Sequence, residues 1–542
     1  MPDACSLQPP QHFAITTAID YVNAAPHLGH AYEKIATDVI ARFYRLWGCP
    51  NVFFLTGTDE HGTKVEKTAH EKGVSPQAYV DSLAAQFKDT WDKLGLTYDR
   101  FIRTSEPDHK RFVTAVWNKL VANGDIEKRA YTGRYCTGCE CFLNERDLTL
   151  DGLCALHQRA PENVIEENYF FALSKYKERL HDLIANTPFV QPEFRVKEVL
   201  HMLDELTDIS VSRPVSSVSW GIPVPGDDDP QTGQVIYVWI DALSNYVTGT
   251  HGGQTLPGNE PSSPQPTQWP VDTHMIGKDI LRFHAIYWPA ILMAAELPLP
   301  KQVYAHGFIN INDTKISKSL GNVLSVWDVA DRFSLDNTDP IRYYLLAASR
   351  FGHDGNFTED EFKRVVNADL ANNLGNLLNR TVSMCQKYTQ GLVPQPPEPR
   401  DAFSGLNDIL EAYQAYDFQR AITLILAKVD EQNQAIHYKE PWTLYKTQQT
   451  EALHAVLFEV LDTLRQVALL FWPIIPTLSQ TIWTQLGMPV SLLDTVADIQ
   501  HGTLTLTDEL NTPIVAGQAL CPGGPILPRL DDDLVGASAK HK

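Results

Sequence analysis

The chain has 542 residues and a formal net charge of −21 at pH 7, from 45 Lys and Arg against 66 Asp and Glu. Apolar residues make up 43% and charged residues 20% of the sequence, a balance that supports several packed cores and excludes wholesale disorder. The acidity argues against loose, sequence-blind binding to nucleic acids or anionic membranes, because such binding requires a basic surface. It leaves a local nucleic-acid site open.

Targeting signals and disulfides are not indicated. No apolar run reaches the roughly 20 residues that a membrane-spanning helix requires. The first residues lack the basic start and apolar stretch of a signal peptide, and the eight cysteines are too sparse for a disulfide scaffold. We therefore expect a cytoplasmic protein.

The first 60 residues follow the order strand, loop, helix, strand. Phe13–Thr17 is a short β-prone run, Ala31–Trp47 has apolar residues at helical spacing, and Asn51–Gly57 is an unbroken apolar run. Unbroken apolar strands are typical of buried parallel sheets. This unit therefore predicts a right-handed βαβ crossover in an α/β domain.

The rest of the chain predicts an interrupted α/β domain followed by helices. Further strand-like runs occur at Gln234–Ile240, Val271–Ile276 and Gln302–Phe308. We therefore place an α/β domain in residues 1–127 and 228–355, with an insertion at 128–227. Helical periodicity then predicts an all-α bundle at 356–500 and a tail at 501–542. The predicted bundle helices are Phe362–Thr389, Ala402–Tyr438, Thr450–Leu470 and Ile474–Leu486.

The tetrapeptide His27-Leu28-Gly29-His30 follows the first strand and opens the first helix. A helix start attracts phosphate because its N–H groups are unpaired and carry partial positive charge. Gly29 allows a ligand to approach the backbone closely. His27 and His30 share one face of the first turn, where both can donate hydrogen bonds to a polyphosphate. Taken alone, this pattern is more often accidental.

A second motif, Lys315-Ile316-Ser317-Lys318-Ser319, lies in a polar loop after a predicted strand. Two lysines spaced by three among small hydroxyl residues suit a loop that clamps a triphosphate. An exposed basic turn is the commoner meaning of such a string. The two motifs together, in this order on an α/β frame, strongly favour nucleotide chemistry.

A Cys/His cluster in the insertion predicts a metal site. Cys136-x-x-Cys139 and Cys154-x-x-His157 are two ligand pairs separated by 14 residues, the arrangement of a closed tetrahedral zinc site. The second pair argues against a redox Cys-x-x-Cys motif. With four ligands the zinc ion has no open position and its role is structural. Cys141 lies nearby and could replace one ligand.

The two nucleotide motifs resemble the HIGH and KMSKS signatures of class I aminoacyl-tRNA synthetases. Five further stretches resemble the methionyl-tRNA synthetase family in particular, and together the similarity covers nearly all of residues 10–500. These stretches are Tyr21–Gly62, Val238–Tyr246, His274–His284, Ala305–Ile309 and Lys439–Trp442. The resemblance implies a Rossmann-type parallel-sheet catalytic domain, a zinc-binding connective insertion and an anticodon-binding bundle.

The resemblance also implies an activity. Methionine is activated with ATP and Mg²⁺ to methionyl-adenylate, and the aminoacyl group is then transferred to the 3′ end of tRNA(Met). His27, His30, Lys315 and Lys318 carry the catalytic roles. The residues implied to bind ATP are His27, Gly29, His30, Gly277, Asp279, Lys315, Ser317 and Lys318.

The methionine pocket is implied by three of the matching stretches and by Ile19 and Tyr21. Asp59 aligns with the carboxylate that binds the ammonium group. The remaining residues line the side-chain pocket, with Trp288 near its rim or simply in the core, and Tyr21 and His284 are candidate partners for the sulfur. The full implied set is Ile19, Tyr21, Asp59, Trp239, Ala242, Leu243, Tyr246, Ile280, His284 and Trp288.

The bundle is implied to read the CAU anticodon of tRNA(Met) through Asn376, Arg380 and Trp442. Asn376 and Arg380 lie one helical turn apart, and Trp442 offers a flat stacking surface. Two alternatives stay open: another class I synthetase, and a synthetase-like paralogue that binds tRNA without catalysis. We expect no appended tRNA-binding domain after the bundle and, because such a domain often carries dimerisation in this family, a monomer. Asp20 departs from the family pattern, and we expect it to point away from the pocket.

Overall fold

The fold is taken from a computed structural model. It describes residues 7–136, 141–143, 147–156, 158–254, 256–260, 266–315, 323–396 and 402–530, with only the backbone of residues 131, 132, 141, 142, 164–166 and 315. None of the helices in these ranges is both long and apolar enough to cross a membrane.

The strands are numbered in chain order. They are β1 His12–Thr17, β2 Asp20–Tyr21, β3 Asn51–Asp59, β4 Arg100–Arg103, β5 Ile126–Cys136, β6 Cys141–Leu143, β7 Glu162–Phe171, β8 Val190–Gln191, β9 Ile209–Ser210, β10 Ser212–Pro214, β11 Gln234–Ile236, β12 Thr273–Gly277, β13 Gln302–His306, β14 Ile309–Ile311, β15 Thr314–Lys315 and β16 Gly355–Phe357.

The α-helices of the first 300 residues are α1 Leu28–Trp47, α2 Thr63–Glu71, α3 Pro76–Lys93, α4 Pro107–Ala122, α5 Lys177–Asn186, α6 Val196–Asp204, α7 Val238–Gly249 and α8 Trp288–Ala294. Those that follow are α9 Val326–Arg332, α10 Asp339–Ala347, α11 Glu359–Val366, α12 Asn376–Tyr388, α13 Leu406–Gln414, α14 Phe418–Lys439, α15 Pro441–Lys446, α16 Thr450–Phe471, α17 Pro476–Gln485, α18 Leu492–Gln500 and α19 Leu506–Asn511. Short 3₁₀ segments lie at Leu173–Tyr176, Glu193–Arg195 and Lys278–Ile280, and π-helical segments at Phe283–Tyr287 and Asn367–Gly375.

The chain divides into two compact units. One comprises Met1–Phe13, His27–Val52 and Gly307–Lys542, and the other comprises Ala14–Pro26 and Phe53–His306. The division differs from the boundaries expected from the sequence, because α1 and the chain from residue 307 group with the helices. Helix α1 groups with this unit because it packs against α10, α13 and α18.

The unit around Phe53–His306 contains the predicted parallel sheet. Its strand order is β2-β3-β1-β12-β13-β8, with β4 on β3. The pairs β1 with β12, β12 with β13 and β3 with β4 all run parallel. A continuous apolar core that includes Trp117, Leu243 and Trp288 packs within this unit. The predicted α/β fold class is therefore confirmed.

The predicted insertion forms a separate antiparallel sheet in the same unit. Its strand order is β6-β5-β7-β9, and the long β5–β7 ladder places Ile126 opposite Phe171. The ladder begins close to the boundary expected at residue 128. Cys136 ends β5 and pairs with Cys141 of β6 through the backbone.

The other unit is mainly helical, and several of its helices differ from the predicted spans. The long helix expected over Ala402–Tyr438 breaks between α13 and α14, where Tyr416 has φ +57° and the Asp417 side chain caps α14. The helix expected over Phe362–Thr389 is continuous but widens into a π-helix at Asn367–Gly375. In the sheet unit, the strand expected over Gln234–Ile240 ends at Ile236, and α7 begins at Val238.

A buried ion pair fixes α1 to the helices of its unit. The Asp38 carboxylate accepts hydrogen bonds from Arg42 Nε at 2.8 Å and from Arg342 Nη2 at 2.7 Å. The Arg342 guanidinium also donates to the carbonyl oxygens of Pro473 and Ile474 at 3.0 and 2.9 Å. Asp38 and Arg342 are fully buried, so this pairing is needed to offset the cost of desolvating both charges.

Candidate active site

A cavity of about 590 Å³ lies at the carboxyl edge of the parallel sheet. Ile19 and Tyr21 follow β1, Asp59 ends β3, and Asp279 and Ile280 follow β12. In open α/β sheets the ligand crevice forms where parallel strands end. The position and the volume of the cavity therefore suit a small-molecule site.

The cavity collects nine of the ten residues predicted to bind methionine. One wall is formed by one face of α7. Another is formed by the start of the π-helical segment Phe283–Tyr287. The predicted residues that line the cavity are Ile19, Tyr21, Asp59, Trp239, Ala242, Leu243, Tyr246, Ile280 and His284. Asp20 is not a lining residue and its side chain is only 4% exposed.

The cavity wall that α7 and the segment after β12 form is apolar with one polar pair. Ala242 and Leu243 are buried, and the Trp239 and Phe283 rings stack with centroids 3.6 Å apart and an interplanar angle of 6°. Such stacking leaves a flat, rigid aromatic surface that complements an unbranched apolar side chain. Phe283 was not predicted from the sequence, although it lies within the matching His274–His284 stretch.

Tyr246 and His284 form the polar pair. His284 Nδ1 lies 3.0 Å from the Ile280 carbonyl oxygen, and Nε2 lies 2.6 Å from the Tyr246 hydroxyl oxygen. Because a carbonyl oxygen can only accept, Nδ1 carries the proton, and in the neutral ring Nε2 accepts the tyrosine hydroxyl hydrogen. Both ring nitrogens of His284 are therefore engaged by protein groups.

His274 packs against the Tyr246 ring, and Trp288 in turn bonds to His274. The His274 ring lies 4.1 Å from the Tyr246 ring, between centroids, and its Nε2 accepts the Trp288 indole N–H at 3.2 Å. Complete burial lowers the pKa of His274 well below its ordinary value, with a smaller contribution from His284, so the ring is neutral. Trp288 does not line the cavity and is 1% exposed; it is a core residue here.

The loop after β3 is held by buried polar contacts. The Glu60 carboxylate accepts hydrogen bonds from Arg103 Nε at 2.6 Å and from the Thr58 hydroxyl at 2.7 Å. The Trp220 indole donates to the Glu60 carbonyl oxygen at 2.6 Å. These contacts fix the backbone that presents Asp59 to the cavity.

On the far side of the same loop, His61 reaches a buried carboxylate. His61 Nδ1 lies 2.6 Å from Asp241 Oδ2, and His109 Nε2 lies 2.8 Å from Asp241 Oδ1. Burial alone would raise the pKa of Asp241, but the two imidazoles lower it to about 2. Sequence reasoning missed all three residues. His61 and Asp241 stand inside matching motifs, whereas nothing in the sequence around His109 marks it.

The helix-start motif is locally ordered by its two histidines. His27 caps α1, and its Nδ1 accepts the Gly29 N–H at 3.1 Å, while His30 Nδ1 accepts the His27 N–H at 3.2 Å. The two rings stack with centroids 3.7 Å apart. Since each Nδ1 is an acceptor, the ring proton of each histidine resides on Nε2, which makes both Nε2 atoms donors.

The second signature begins at the end of a β-hairpin in the same unit. Lys315 ends β15, whose backbone pairs with β14. Ser317 and Lys318 lie outside the described residues, and so does the Lys315 side chain. The backbone just beyond the loop is bonded to the first signature, because the Leu28 N–H donates to the Leu324 carbonyl oxygen at 2.8 Å. Leu324 is therefore held beside the start of α1.

The two cysteines of the zinc motif that can be described lie together. Cys136 and Cys154 are 3% and 1% exposed and belong to one small cluster with Leu143 and Leu148. Cys139 and His157 lie outside the described residues. Within the ranges that the structure covers, no group of three or more His, Cys, Asp or Glu side chains could hold a metal ion.

The residues implied to read the anticodon lie in the helical unit. Asn376 begins α12 and is exposed, and Trp442, on α15, is 37% exposed. Arg380 Nη2 donates to Asn433 Oδ1 at 2.9 Å, and burial lowers the pKa of Arg380 from its ordinary value. Tyr445, on α15 like Trp442, stacks on Tyr388 with ring centroids 4.3 Å apart.

Known proteins resemble the chain over most of its length. The family model described as tRNA synthetases class I (M) matches residues 13–154 and 147–382. A methionine–tRNA ligase of Thermosynechococcus vestitus is 43% identical over 527 residues, which cover 93% of this chain and 96% of the relative. A methionine–tRNA ligase of Clostridium acetobutylicum is 40% identical and covers 96% of this chain, which spans 78% of the relative.

Solved structures agree with these relatives. The Mycobacterium tuberculosis methionyl-tRNA synthetase in complex with methionyl-adenylate matches with a TM-score of 0.84 and 35% identity, over 96% of this chain and 100% of that chain. The apo form of the same synthetase matches with a TM-score of 0.78 and 33% identity. The chain therefore belongs to the methionyl-tRNA synthetase family of class I tRNA synthetases.

Proposed function

We propose that the chain attaches L-methionine to tRNA(Met) in two steps. The methionine carboxylate attacks the α-phosphate of ATP, which forms methionyl-adenylate and releases pyrophosphate. A hydroxyl of the terminal tRNA ribose then attacks the adenylate carbonyl and AMP leaves. The observation that carries the proposal is the cavity, which combines an apolar and aromatic wall from α7 and Phe283 with the Asp59 carboxylate. The names of the relatives support it.

For methionine, the cavity offers one group for each part of the substrate. Asp59 would pair with the ammonium group, and the stack of Trp239 and Phe283 would cover the thioether chain. The Tyr246 hydroxyl oxygen, held by His284, would fix the depth of the pocket. One methylene in an apolar pocket contributes about 1–3 kcal/mol of discrimination, so the shape of the pocket should disfavour leucine and isoleucine by about 10–200-fold.

For ATP, we propose that His27 and His30 bind the triphosphate through their Nε2 donors and stabilise the charge that develops at the α-phosphate. Gly29 would admit the adenine ring. Lys315, Ser317 and Lys318 would clamp the leaving pyrophosphate. Gly277 and Asp279 would contact the adenosine, and the position of Asp279 on the cavity rim supports this role. Mg²⁺ would accompany ATP and neutralise phosphate charge. No protein nucleophile is required, so catalysis consists of positioning and charge stabilisation.

The first experiment is ATP–pyrophosphate exchange driven by single amino acids. Methionine should drive exchange, and cysteine, leucine and isoleucine should be far weaker. Asp59→Asn should raise the KM for methionine by about 10–100-fold, since a hydrogen bond to a charged group contributes about 1.5–3 kcal/mol. The matched control is Asp182→Asn, an exposed carboxylate on α5 that should change nothing. Exchange driven by another amino acid would contradict the substrate, and no exchange at all would contradict the enzyme.

For the tRNA, we propose that Asn376, Arg380 and Trp442 read the CAU anticodon. The exposure of Trp442 supports a stacking role over a core role. Residues 365–500 contain 8 Lys and Arg against 14 Asp and Glu. The stretch is therefore net acidic, which argues against a broad basic face for tRNA. Base stacking and a few local cations would supply most of the specific binding.

Aminoacylation kinetics test this proposal. Trp442→Ala and Arg380→Ala should each raise the KM for tRNA by about 10–100-fold, since stacking or a charged contact contributes about 1–3 kcal/mol. Methionine-driven exchange should stay within about twofold, because activation does not involve the anticodon. Arg420→Ala removes an exposed arginine of the same unit and serves as the control. Equal KM values in all three variants would refute the assignment.

We also propose one structural zinc ion held by Cys136, Cys139, Cys154 and His157. The shared burial of Cys136 and Cys154 supports it. When bound, the ion would tie the end of β5 to the turn that carries Cys154 without taking part in catalysis. Thiolate ligands require a reducing compartment, which supports a cytoplasmic location.

Metal analysis of the purified chain tests the zinc site. About one zinc ion per chain is expected, because four-ligand sites bind tightly. Cys154→Ser should lower the zinc content and the melting temperature, whereas Cys521→Ser, at an exposed cysteine, should change neither. A zinc-free protein of normal stability would disprove the site.

A further inference from the structure

Asp241 is a buried carboxylate that the proposed chemistry does not use. It is 1% exposed, and each of its oxygens meets one imidazole, Oδ2 with His61 Nδ1 at 2.6 Å and Oδ1 with His109 Nε2 at 2.8 Å. His61 and His109 are 2% and 0% exposed. The three side chains therefore form a buried cluster.

The cluster joins three separate elements of the sheet unit. His61 stands two residues beyond Asp59 in the loop after β3, His109 lies in the first turn of α4, and Asp241 lies on α7. His109 is anchored a second time, because its Nδ1 lies 3.3 Å from the Thr248 hydroxyl near the end of α7. The bonds span 132 to 180 residues of sequence, so they cannot serve local helix formation.

Asp241 acts from the side of α7 that is turned away from the cavity. Trp239, Ala242, Leu243 and Tyr246 follow helical spacing and all line the cavity, whereas Asp241 is not a lining residue. The carboxylate therefore does not touch a ligand there. It fixes α7, and with it this wall, against the loop that presents Asp59.

Burying the Asp241 carboxylate destabilises the fold unless both of its oxygens accept a hydrogen bond. A buried carboxylate loses most of its hydration, and both imidazoles must donate to offset that loss. Removing one donor leaves the charge partly unsatisfied, and α7 or the loop must shift to admit water or another partner. Either shift changes the spacing between the two ends of a bound methionine.

We propose that His61, Asp241 and His109 are positioning residues that set the affinity for methionine. They hold the carboxylate for the ammonium group and the pocket for the side chain at one fixed spacing. This inference rests on the proposed function, since it assigns methionine to the cavity. It predicts an effect on methionine and none on ATP or on the chemical step.

Paired amide substitutions test the cluster atom by atom. Asn places an N–H near the position of imidazole Nδ1, and Gln places one near the position of Nε2. His61→Asn and His109→Gln therefore keep the donor to Asp241, whereas His61→Gln and His109→Asn misplace it. All four variants stay polar, so a general need for a polar side chain affects them equally.

The measurement is ATP–pyrophosphate exchange with methionine varied at saturating ATP, and then with ATP varied at saturating methionine. His61→Gln and His109→Asn should raise the KM for methionine by about tenfold or more, the size of effect expected when a hydrogen bond to a charged group is lost. His61→Asn and His109→Gln should stay within about twofold of the wild type. The kcat and the KM for ATP should be unchanged in all four. His70→Gln, at an exposed histidine on α2, is the control.

The outcomes separate this inference from the proposed function. If the wild-type chain shows no methionine-driven exchange, the proposed function fails. If it does, and the four variants share one KM for methionine, the positioning role fails. A variant with a lower kcat and with raised KM values for both methionine and ATP would show a general structural defect. That result would also overturn the proposal. Melting temperatures of the four variants identify any that fail to fold, and the remaining pair at the other histidine still decides.

Discussion

A carboxylate that is removed from water must be paired, and Asp241 shows how this constraint shapes the sheet unit. Its two imidazole partners come from elements far apart in sequence, and the cluster closes only when α4, α7 and the loop after β3 are all in place. The pKa of about 2 shows that this pairing outweighs the effect of burial. The cavity is lined by α7 and by Asp59, which immediately precedes the loop, so the same pairing fixes two parts of its wall.

A second constraint operates at the start of α1, where the histidines of the first signature also cap the helix. The hydrogen bonds made by Nδ1 of His27 and of His30 satisfy backbone groups and leave the ring protons on Nε2. These two hydrogen bonds therefore stabilise the helix start, and they also determine which ring atom of each histidine can donate to phosphate. The Leu28 N–H also bonds to the Leu324 carbonyl oxygen, which ties this helix start to the backbone that precedes α9.

Sequence reasoning located the cavity because its residues stand in contiguous motifs. Trp239, Ala242, Leu243 and Tyr246 share one helix, and their spacing was visible once the family was recognised. It missed His109, because a tertiary contact to Asp241 leaves no local pattern. It extended the strand after Gln234 too far, since the apolar run continues into α7. It also missed the break at Tyr416, because a left-handed tyrosine is set by packing and not by propensity.

The most direct test of the account is a crystal structure of the chain with L-methionine bound. We expect the ammonium nitrogen about 3 Å from the Asp59 carboxylate, within hydrogen-bond distance. We expect the thioether between the Trp239 and Phe283 stack and the Tyr246 hydroxyl, with His61 and His109 still bonded to Asp241. Methionine bound outside the cavity, or with its ammonium group away from Asp59, would contradict the account.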